Sequence, residues 1–103
     1  MEITAQDFRD NIISEISICY DWDTEENVAI IKIKCYDKSI ETYRINGLVA
    51  FNIYEDFNAR YIEQCLLINK QSSVYLSLDP YSEIQAEIEK DNYYFSGCSI
   101  EKL

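Results

Sequence analysis

The chain has 103 residues, 48% of them hydrophobic, and its nineteen acidic against nine basic side chains give a net charge of −10. That length suits one domain, 1–103, burying roughly 65% of the surface its unfolded chain exposes, so no covalent staple is required. The charge argues against nucleic acid and anionic membranes as partners, because both are held by Lys and Arg. It favours encounter with a basic protein.

The N-terminus "MEITAQDFRD" is acidic and lacks the apolar stretch of a signal peptide. No run approaches the ~18 apolar residues of a membrane span, so the expected location is the cytoplasm. Thr4 followed by Asp7 matches a capping box, and Ile3 with Phe8 matches a hydrophobic staple. This predicts a short helix from about Ala5 to Ile12. Ile16, Ile18, Tyr20 and Trp22 then alternate with Ser17, Cys19 and Asp21, the period of a strand with one buried face. After the acidic "DWDTEEN", Ala29, Ile31, Ile33 and Cys35 form a second strand, expected to pair antiparallel with the first.

Within "TYRINGLVAF", Asn46-Gly47 is the preferred pair for a type I′ hairpin, whose two turn residues both need positive φ. Such a hairpin sets Ile45 opposite Leu48 and Arg44 opposite Val49. It assigns Ile40, Val49, Phe51 and Ile53 to the core. Its other face, with Tyr43, Ile45, Leu48, Ala50 and Tyr54, is expected beneath a helix or a partner. In "RYIEQCLLINK", Tyr61, Cys65 and Ile68 fit a helix while Ile62, Leu66 and Ile68 fit a strand. The strand extends an antiparallel meander more simply. "VYLSLD" reads as a strand, Asp79-Pro80 as the cap of a helix running through Lys90, and "YYFSGCSI" as the last strand. The expected class is α+β: an antiparallel sheet of five or six strands with one or two short helices.

The chain has no histidine, no Gly-rich phosphate loop and no GxSxG or HExxH, so the expectation is a protein that is not an enzyme and takes no cofactor. Cys19, Cys35, Cys65 and Cys98 form no CxxC and read as small buried hydrophobes rather than metal ligands or disulfides. Asp21 and Asp23 match the first positions of a calcium loop. Glu26, however, stands where the required glycine would be, and Lys32 where the closing glutamate would be. The remaining constellation mixes aromatic rings with acids. Trp22 sits among Asp21, Asp23, Glu25 and Glu26; Tyr54 precedes Glu55 and Asp56; Tyr93 follows Glu87 and Asp91. Trp and Tyr are favoured binding anchors, and carboxylates meet Lys and Arg, so these are the candidate partner-binding residues. The alternative is that the rings close the core and the acids decorate loops.

With its "INGLVAF" hairpin, "LDPYSE" turn and "EKDNYYFSG" approach to a last strand, this acidic chain resembles the immunity proteins of bacterial contact-dependent inhibition and related polymorphic toxin systems. The resemblance spans most of the chain but carries no residue-by-residue motif. What it implies is a role: forming a heterodimer with one cognate basic toxin, often a nuclease, and covering or distorting its active site. The alternative is a nucleic-acid-mimicking or regulatory adaptor that blocks a basic partner by the same electrostatics.

Overall fold

A computed structural model describes residues 2–53, 60–80 and 91–103. Tyr54, Glu55, Asp56 and Glu87, and the helix expected over 81–90, lie outside the described residues.

The expected α+β class is corrected. The regular structure of the described residues is almost entirely strand, and their helical content is one 3-10 turn at Ala5–Asp7. The cap works as the sequence suggests, with the Thr4 N–H donating to the Asp7 carboxylate at 2.8 Å. The turn stops there because Phe8 is fully buried against Tyr43, ring centroids 4.7 Å apart, and Asp10 turns the chain at φ 65. Ile12 and Ile13 therefore open a strand instead of closing a helix.

Nine strands follow in the described residues: β1 Ile12–Asp21, β2 Glu26–Lys34, β3 Ile40–Asn46, β4 Ala50–Asn52, β5 Arg60–Tyr61, β6 Leu66–Asn69, β7 Val74–Asp79, β8 Asn92–Gly97 and β9 Ser99–Lys102. They form two antiparallel sheets, in the orders β5-β1-β2-β3-β9 and β4-β8-β7-β6. The β1–β2 pair is the one read from the sequence, and its runs of Ile and Val suit a pleated, half-buried surface. A bulge between Ile13 and Glu15 changes the parity of β1. Buried Ile13 and half-buried Ile16 thus share the inner face although three residues apart. The inner faces enclose one core: Ala29, Ile31, Ile33, Tyr43 and Ile45 from the first sheet, Val74, Leu76, Leu78, Tyr93 and Phe95 from the second.

The Asn46-Gly47 hairpin is also corrected. Gly47 alone of the pair has positive φ, +59, and the chain does not fold back on β3. It crosses into the second sheet as β4, where Phe51 pairs with Phe95, while β3 takes β9 as its neighbour and Arg44 pairs with Glu101. The β8–β9 segment crosses between the sheets at the same corner, tied by Cys98 N–H to Asn46 C=O at 2.8 Å and Val49 N–H to Ser96 C=O at 2.9 Å. Strands that switch sheets make such corners in orthogonally packed β proteins. The chain's two glycines both stand at this crossing. A Cβ on Gly97 would lie 2.7 Å from the Asn46 carbonyl oxygen, and one on Gly47 would lie 2.5 Å from Cys98 Sγ.

Without the hairpin most of the face assignment fails, although Ile53 does pack against the core. Tyr43, Ile45 and Leu48 are core, whereas Ile40, Val49 and Phe51 are substantially exposed. Within 61–69 the strand reading holds for Tyr61, in β5, and Leu66–Asn69, in β6, but not for residues 62–65 between them. Of the cysteines expected to be buried, only Cys65 is; Cys35 is half-buried, Cys19 and Cys98 are exposed, and all four are free thiols.

Candidate protein-docking end

The acidic stretch is the turn joining β1 to β2. Asp21 ends β1, residues 22–25 make the turn with Glu25 at φ 56, and Glu26 opens β2 directly across from Asp21. The acids here serve different purposes. The Asp21 carboxylate accepts from the Asp23 N–H at 2.9 Å and from the Arg44 guanidinium, which reaches it from β3. The hydrogen bond from Arg44, reinforced by the backbone of the turn, holds the Asp21 carboxyl below its ordinary value. Arg44 also donates to the Asn46 side chain, and Asn46 in turn donates to Glu101 at 3.0 Å. Asp21 is thus a latch that fixes the turn to the sheet. Asp23 and Glu25 project into solvent, and Glu26 is half-buried at the base of the turn.

Trp22 stands at the tip, 82% exposed, with its ring edge-on to Tyr20 at 4.9 Å and 76°. Ile16, Ile18 and Tyr20 lie on the inner face of β1, and Trp22 follows them in the turn, but burial falls away along this row. Ile18 and Tyr20 are exposed there as well. Beside them an open groove of about 360 Å³ is lined by Ile18, Asn27, Leu48, Val49, Ala50 and Phe51. Large apolar residues left uncovered together, with acids at their rim, mark an interaction surface more often than scattered exposed residues do.

The third aromatic–acid cluster is elsewhere. Asp91 is fully buried and accepts from the Tyr75 hydroxyl at 2.6 Å, while Tyr93 is buried with its backbone at φ 49. Both serve the interior near β7 and β8, and neither joins the surface around Trp22. Sequence reasoning missed Ile18, Val49 and Phe51 as surface residues. For Val49 and Phe51 the signal was present in the apolar character of both faces of the 40–53 segment, which one core face cannot absorb.

Among the described residues, no group of Cys, Asp and Glu is arranged to hold a metal ion, and no helix is long and apolar enough to cross a membrane. No family model, curated protein or solved structure matches this chain, so the reading of the docking end rests on its own geometry.

Proposed function

We infer that this protein is a binding module that neutralises a basic protein partner, acting as an immunity protein toward a cognate toxin domain. The observation that carries the reading is the exposed Trp22, stacked edge-on against Tyr20 at the tip of an acidic turn. A rigid aromatic pair offers a large contact area at low entropic cost, and the carboxylates around it supply the opposite charge. Asp23, Glu25 and Glu26 would occupy the places that nucleic-acid phosphates take on the Lys and Arg of a nuclease. Trp22 would displace water from the contact.

The test is co-expression with a basic toxin domain encoded beside this chain, followed by capture and binding kinetics. Asp23→Asn with Glu25→Gln slows association and flattens its salt dependence. Trp22→Ala instead speeds dissociation, by about 2 kcal/mol or more for a central anchor. Equal capture of several unrelated basic proteins would favour a nucleic-acid mimic, and capture untouched by all three substitutions would refute the reading.

A further inference from the structure

Charge alone does not explain the groove beside the acidic turn. Phe51 pairs with the fully buried Phe95 and so points to the inner face of its sheet, yet it is 46% exposed, and Val49 next to it is 77% exposed. Leu48, the buried member of the lining, forms the base. Small-molecule sites enclose about 70–90% of their ligand, and walls this open cannot do that. A second copy of the chain is disfavoured: a symmetric contact here would bring two sets of Asp23, Glu25 and Glu26 together on molecules each carrying −10. Glu26 immediately precedes Asn27, and its carboxylate lies 3.4 Å from where a Cβ on Gly47 would stand, next to Leu48. Negative charge thus borders an apolar slot.

We propose that this groove receives a large apolar side chain of the basic partner, flanked in that partner by Lys or Arg that reach Glu26. The inference rests on the docking reading above and specifies what the docking end recognises. The apolar side chain covers Ile18, Leu48 and Phe51, while the flanking cations fix its direction along the rim.

The experiment is an amide chemical-shift titration of the whole protein with a short capped peptide in which leucine is flanked by lysines. Two matched peptides replace the leucine with serine or the lysines with glutamates. Shifts are expected at Ile18, Asn27 and residues 49–51. Affinity should fall about tenfold or more for the serine peptide, the value of one buried aliphatic side chain. The glutamate peptide should not bind. Val49→Ser, at an exposed position that leaves the fold intact by thermal melting, should weaken the leucine peptide and not the serine one. Equal affinity for the leucine and serine peptides, shifts spread over the acidic surface, or no binding of the leucine peptide would overturn the groove. A toxin domain lost by Trp22→Ala but held unchanged by Val49→Ser would overturn the groove while leaving the functional reading in place.

Discussion

Replacing Trp22 by Ala separates a surface anchor from a core residue. At 82% exposure the side chain has less than a fifth of its area covered. For a tryptophan of about 250 Å² that is about 45 Å², or about 1 kcal/mol at about 25 cal/mol/Å², an upper figure. The edge-on contact with Tyr20 lies within that sum, because Tyr20 is itself half in solvent. A loss of about 1 kcal/mol lowers the melting temperature of a domain this size by about 5 °C. Urea unfolding followed by far-ultraviolet circular dichroism is the suitable assay, since the variant lacks the chain's one tryptophan. A loss of about 3–5 kcal/mol, the cost of emptying a buried aromatic site, would refute the placement of Trp22 and with it the docking end.

Gly97→Ala should destabilise by about 1–3 kcal/mol, because the new methyl meets the Asn46 carbonyl oxygen at 2.7 Å and Ile45 at 2.8 Å; an unchanged urea midpoint would contradict the crossing. Lys102 at 2.9 Å and the Tyr43 hydroxyl hold the Glu41 carboxyl below its ordinary 4.5. A depressed folded-state value stabilises above the unfolded one and is lost as pH falls through it. The stability gap between the parent protein and Glu41→Gln should therefore be full at neutral pH and close below 4.5, as measured by urea melts across acid pH. Native-state labelling with a maleimide, read by mass spectrometry, should reach Cys19 and Cys98 first. Cys35, half-buried with its thiol pushed up by burial, should react slowly, and Cys65 only on unfolding. Simultaneous modification of Cys65 and Cys19 would contradict the burial order.

The strands that pair with their sequence neighbours were legible. Alternation over Ile16–Trp22 and Ala29–Cys35 identified β1, β2 and their antiparallel pairing, and "VYLSLD" identified β7. Asn46-Gly47 misled because turn preference is local, whereas β3 is claimed by β9 and β4 by β8, each about fifty residues away in sequence. That single error put Tyr43 and Ile45 on the wrong face, since side chains alternate with period two, whereas Phe51 keeps an inner-face position and is exposed there all the same. Alternation also continues through Trp22 with nothing in the sequence to show where the covering sheet ends. Whether that ring was core or surface was a fact of tertiary assembly. The acids were visible as a group, but the division between Asp21, held by Arg44, and the free-standing Asp23 and Glu25 required the distant strand β3.

The crossing of β3–β4 and β8–β9 interleaves the sheets along the chain. One takes strands from the start, the middle and the very end, and the other takes those between. The second sheet lies within residues 50–97, but the first needs strands from both sides of that span, so the core between them is finished only when β9 has joined β3. Folding must close the loop between β3 and β9 before the core between the sheets is complete, which makes it slow for its size and cooperative as a whole.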